Sequence, residues 1–298
     1  MLTSFFKTSR PVHYLITFLM VGGAIGYDVF TTHGMAWHLL WVPIVAMLCM
    51  AVFKFVTIKN NFTQSNSYSL WLHACLLIIG VVYGVSLSIF VAYLCYILAL
   101  RRVLSIHTGK DVIKKIFDAS FWITVATVFY SWSAIFLIVI FISIVLYAFK
   151  KLNLWTIPFI AAVCVAILTY TIDQYFDTTY LRSTFQRFTI TFSTLKSFES
   201  LFSIVVIIFG FIGFICASAV LLAFPNISIS TRARFSLLGF FGWGGVICCV
   251  VSGTMLFIIP VVVIFTARLL QELENKILKE SLLWIPVITM SILYFLKF

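Results

Sequence analysis

Nine acidic side chains occur in 298 residues, so each one that could do chemistry can be weighed separately. Asp28 stands at the end of the first apolar run, in GYDVFTTHGMAWH, with His33 and His38 after it. A lone carboxylate there suits general-base work, such as activating a hydroxyl. Two histidines five residues apart lack the i,i+3 or i,i+4 spacing of a helical metal site, so no metal is expected. Arg182, Arg187 and Lys196 lie in DQYFDTTYLRSTFQRFTITFSTLKSFES, residues 173 to 200. Arginines in such a segment suit a phosphate or other anionic headgroup, and ordinary lipid phosphate would satisfy them equally. No nucleophile motif, phosphate-binding loop or dinucleotide fingerprint is present.

Two further charged clusters have a plainer reading. LALRRVLSIHTGKDVIKKIFDASFW holds Arg101, Arg102, Lys110, Asp111, Lys114, Lys115 and Asp118 between two apolar runs. It reads as a basic cytoplasmic loop over 101–117, with Asp118 expected to cap the helix that begins FDASFW. In ARLLQELENKILKE, Leu270, Leu273 and Ile277 make an apolar stripe and Glu272 faces Lys276 at i,i+4. That segment reads as an amphipathic continuation of a span, and 266–280 is expected to lie on the membrane or on another inner-membrane protein.

These residues need a membrane to position them. The chain is 63% hydrophobic and 10% charged, with a mean hydropathy of +1.14, whereas soluble domains average about 25% charged residues. The first segment has basic residues ahead of an apolar stretch but no small-x-small cleavage site, and reads as a retained span. All seven cysteines lie within apolar runs without C-x-x-C spacing, as packing residues do. The net charge of +11 is explained by basic loops between spans, and no basic, aromatic-interleaved face points to nucleic acid.

The predicted fold is all-α, a polytopic transmembrane helical bundle forming a single integral membrane domain over 1–298. About eleven spans of roughly bilayer length fall near 12–30, 37–56, 68–83, 86–100, 119–131, 133–149, 154–171, 199–222, 235–251, 254–270 and 282–297. Residues 68–100 and 119–149 could each be one long helix or two short ones turning at 82–86 and at Ser131 to Ser133. With a cytoplasmic N-terminus, the paired reading leaves only Arg182, Arg187, Lys196 and Lys297 of the 20 basic residues outside. The single-helix reading moves Arg101, Arg102, Lys110, Lys114 and Lys115 outward, against the positive-inside bias.

Within 173–198, Leu181, Phe185, Phe188, Phe192 and Leu195 recur at spacings of four and three, the pattern of an outer interfacial amphipathic helix. The Thr content and the alternation of Phe188, Ile190 and Phe192 also permit a strand. Gly22 and Gly26, Gly80 and Gly84, and the glycines of SLLGFFGWGGV support close helix contacts. Pro43, Pro158, Pro260 and Pro286 are expected to kink their helices. Spans offer little ionisable chemistry beyond His73 and the hydroxyls of Tyr83, Tyr93 and Tyr130, which ranks a coupled transporter third among functions.

MLTSFFKTSRPVHYLITFLM and LALRRVLSIHTGKDVIKKIFDASFW resemble a family of multi-spanning inner-membrane proteins of Bacteroidota, which implies location rather than activity. SLSIFVAYLCYILALRRVLS and the hairpin FWITVATVFYSWSAIFLIVIFISIVLYAFKK resemble the middle of glycosyltransferases that take sugars from polyprenyl phosphate carriers, and of polysaccharide polymerases. In those transferases the catalytic acid follows the first span, where Asp28 stands. Their first outer loop is long, and here it runs only from about residue 28 to 37. Tyr130 and Ser131 stand where a histidine is common in the polymerases.

The expected role is therefore in bacterial envelope biogenesis, handling a polyprenyl-linked glycan at the periplasmic face. Asp28 would act as base, and Arg182, Arg187 and Lys196 would hold the phosphate. No cofactor is expected beyond that polyprenyl phosphate lipid. The rival is a non-catalytic membrane subunit of an export, motility or assembly complex, meeting membrane lipids and other inner-membrane proteins through 266–280 and 173–198. The sequence leaves open whether the chain is an enzyme.

Overall fold

The computed structural model describes residues 2–33, 40–63, 66–82, 86–148, 152–186 and 229–297. These residues form helices and no strand, and five helices are long and apolar enough to cross a membrane. The described α-helices are α1 (Leu2–Phe6), α2 (Pro11–His33), α3 (Trp41–Lys59), α4 (Tyr68–Val82), α5 (Leu87–Leu104), α6 (Val112–Phe129), α7 (Ile135–Ala148), α8 (Ile157–Phe176), α9 (Tyr180–Gln186), α10 (Ile229–Ser252), α11 (Ile259–Glu272) and α12 (Lys276–Lys297). The span expected at 199–222 and the Phe188 to Leu195 stripe lie outside the described residues, as do Tyr83, Gly84, His38, Arg187 and Lys196.

The chain divides into two compact units. The first joins α1 to α4 with α11 and α12, and its centre is α4, whose run from Asn66 to Val81 is buried on every side. A helix apolar all round needs cover all round, and α2, α3, α11 and α12 pack against it. By contrast α2 exposes Leu15, Leu19 and Phe30 along its far face. An apolar stripe of that length suits lipid and would be a liability in water.

The second unit contains most of α5, α6 to α9 and α10. Tyr130 is extended, and a 3-10 turn at Ser131–Ala134 separates α6 from α7. Helix α7 touches this turn and also the 3-10 turn at Ile106–Thr108, which lies beyond the opposite end of α6. It therefore runs back along α6, so 119–148 is a hairpin rather than one long helix. The core is aromatic: the Tyr96 ring centroid lies 4.5 Å from that of Phe136, 5.4 Å from Phe257 and 5.7 Å from Phe241. Close approach is purchased with glycine, since a Cβ on Gly245 would stand 2.9 Å from the Ile258 backbone.

Several expectations change. The basic segment 101–117 is mostly helix: Arg101 and Arg102 end α5, Lys114 and Lys115 begin α6, and Lys110 stays exposed in the turn between. Asp118 is therefore inside α6 and caps nothing; it pairs with Arg102 at 2.9 Å. The 266–280 segment is not continuous, because the helix breaks at 273–275, where the Asn275 side chain accepts the Ile277 amide at 2.9 Å. Glu272 consequently pairs with Arg268 at 2.6 Å and not with Lys276. Pro43, Pro158 and Pro260 fall in first turns, where a missing N–H costs nothing, and only Pro286 lies deep inside a helix.

Candidate functional site

Helix α2 turns one stripe into the first unit. His13, Thr17, Val21, Ile25 and Asp28 are all buried on it, at spacings of three and four. Asp28 is 6% exposed while its neighbours Tyr27 and Phe30 are 53% and 55% exposed, so the acid turns inward and the rings turn out. The Asp28 carbonyl accepts the Thr31 hydroxyl at 3.1 Å. His13 begins the same stripe about 22 Å away at 1.5 Å per residue, and its Nδ1 lies 3.2 Å from the Ser67 hydroxyl.

Around that other end the first unit gathers polar groups that its hydropathy conceals. Lys54 of α3 is 3% exposed, although Phe55 and Ile58 beside it face outward. Its ammonium donates to the Asn66 carbonyl at 2.6 Å and to the Ser69 hydroxyl at 3.3 Å. One turn further along the same contact, the Phe53 ring lies 4.2 Å from the His73 imidazole. Among the described residues, buried Thr63 Oγ1 and Asn66 Oδ1 have no hydrogen-bond partner. The N-terminal segment closes over this end: the Phe6 carbonyl accepts the Ser67 amide at 3.0 Å, and the Thr3 carbonyl accepts the Tyr68 hydroxyl at 2.9 Å. Glu280 of α12 accepts the Leu2 amide at 2.8 Å and the Thr3 amide at 3.1 Å. A hydrogen bond from the Thr3 hydroxyl, with these amides, holds the Glu280 carboxyl below its ordinary value.

The sequence reading missed Lys54. A lysine five residues from the end of α3 reads as one that snorkels to the interface, and only the packing of α4 reveals that it does not. The signal available was the run of hydroxyl and amide side chains in NNFTQSNSYS that follows it.

Arg182 belongs to the other unit, on the exposed side of α9. The start of α9 is fixed by Asp173, whose carboxylate accepts the Thr178 hydroxyl at 2.6 Å and the Tyr180 and Leu181 amides at 2.9 and 2.8 Å. The basic cluster is tied into its own turn: Lys115 donates to the Ser105 carbonyl at 2.8 Å and the Thr108 hydroxyl at 2.6 Å, and Lys114 lies 3.7 Å from Asp111. Among the described residues no group of three His, Cys, Asp or Glu could hold a metal ion. No protein-family model, curated protein or solved structure matches the chain, so a functional reading rests on this geometry.

Proposed function

We propose that this helical membrane protein belongs to the bacterial inner membrane and serves envelope biogenesis, handling a polyprenyl-linked glycan or a lipid of similar chemistry at its outer face. Asp28 is the general base that activates an acceptor hydroxyl. What supports the reading is the burial of Asp28 within a helix of bilayer length, since an acid kept there and turned away from lipid marks a functional site by default. It stands within the last two turns of α2, near the place after the first span where the polyprenyl-dependent transferases that the sequence resembles carry their catalytic acid.

A second reading, a non-catalytic subunit of an export, motility or assembly complex, draws on Ile277, which is 79% exposed at the start of α12. Complementation of a deletion strain separates the two. Asp28→Glu should restore the envelope phenotype and Asp28→Ala should not, with both proteins present in the membrane at wild-type levels. Full complementation by Asp28→Ala, together with a protein partner retained in mild detergent, would establish the subunit and remove the catalytic reading.

A further inference from the structure

A buried ammonium needs compensation. Taking a charge out of water costs several kcal/mol unless a partner of opposite sign or a full set of hydrogen bonds offsets it. Among the described residues Lys54 has two acceptors, both neutral, for three N–H groups. Among the described residues no carboxylate pairs with it: Asp28 lies at the far end of α2, Glu272 holds Arg268 and Glu280 holds the Leu2 and Thr3 amides.

The nearest helix terminus adds positive potential rather than removing it. Helix α4 begins at Tyr68, beside the lysine's partners, and presents the positive end of its dipole there. The His13 imidazole is held against Ser67 at the same place. The buried Thr63 hydroxyl and Asn66 side-chain amide, 7% and 5% exposed, belong to the loop that supplies the lysine's carbonyl partner. An asparagine amide can present its nitrogen or its oxygen to a ligand, so Asn66, Thr63, Ser69 and Lys54 are all able to donate.

We propose that Lys54, Thr63, Asn66 and Ser69, with the start of α4, form an anion site, and that the ligand is a phosphate oxyanion, from a phospholipid headgroup or from free phosphate. The ammonium supplies the charge, the α4 N-terminus and the hydroxyls supply directed donors, and the phosphate supplies the missing counter-charge. The donors are buried, so the ligand should be retained through purification rather than exchanged quickly. The site lies at the opposite end of the first unit from Asp28 and does not depend on that residue's role.

The test uses the full chain in mild detergent. Native mass spectrometry should show an adduct on the wild type, its mass distinguishing a phospholipid from a phosphate ion, and Lys54→Met should reduce it to background. Lys54→Met removes a buried charge and keeps the length, so it should still fold. Thr63→Val should weaken retention without abolishing it. In nanodiscs, anionic phospholipid or added inorganic phosphate should raise the unfolding temperature of the wild type and leave Lys54→Met unmoved. A response to anionic lipid alone identifies a headgroup, and a response to inorganic phosphate in zwitterionic lipid identifies the free ion. No adduct, an adduct that Lys54→Met retains, or a wild-type stability that follows pH but neither phosphate nor lipid charge would overturn the site.

Discussion

The Asp118 carboxylate lies 2.9 Å from the Arg102 guanidinium, tying the last turn of α5 to the second turn of α6. Both side chains are about one-third exposed, so the pair should be worth only about 0.2–1 kcal/mol. A double-mutant cycle of Arg102→Ala and Asp118→Asn, read by thermal unfolding, should give a coupling in that range that shrinks at high salt. A coupling above about 3 kcal/mol would mean that the pair is effectively buried.

Glycines 239 and 245 share a helix but not an environment. A Cβ at 245 would meet the Ile258 backbone at 2.9 Å, while one at 239 would have nothing within 4 Å. Gly245→Ala should therefore destabilise the protein by about 1–3 kcal/mol through overpacking. Gly239→Ala should be neutral or gain up to about 1 kcal/mol of helix propensity. Unfolding temperatures of the two variants side by side check the order.

The contact of Glu280 with α1 should weaken in acid. Its folded carboxyl is held below the ordinary value of 4.5 by the Thr3 hydroxyl and the Leu2 and Thr3 amides. A group whose folded value is depressed contributes stability that is present above the unfolded value and lost as pH falls through the folded one. Protection of the N-terminal segment from protease should thus fall below about pH 4.5, and Glu280→Gln should show reduced protection at neutral pH with little further loss in acid.

Sidedness is testable with single cysteines at exposed positions. With paired hairpins, Ser9→Cys and Thr108→Cys should react with an impermeant maleimide from the same face of sealed vesicles, and Tyr175→Cys from the other. Reaction of Thr108→Cys together with Tyr175→Cys would reverse the hairpins and return the basic cluster to the outer side.

What could be read in the sequence is what hydropathy encodes. The break at Tyr130 to Ser133 was legible because polar residues interrupt an apolar run of more than one helix's length. The start of α6 at Val112 was not, because Lys114, Lys115 and Asp118 lower hydropathy without opposing helix formation. Leu270, Leu273 and Ile277 carry a helical period through a segment that is not one helix, since periodicity takes no account of Asn275 capping the next turn. Asp28 was found as a type of residue in a position, and its burial came only with α3 and α4 packed against α2. Lys54 does not stand out in the sequence because a window average tolerates one lysine, and nothing in the window says which way it points.

The enclosure of α4 bears on how the protein is made. By the time residue 258 leaves the ribosome, every described helix of the second unit has been synthesised, yet α4 still awaits α11 and α12. During that interval Leu72 and Leu76 lack the Val262 and Leu282 side chains with which they later line a seam, and the Trp71 indole lacks the Leu283 carbonyl it will meet at 3.4 Å. The first unit can therefore complete its enclosure of α4 only after translation has passed Leu283.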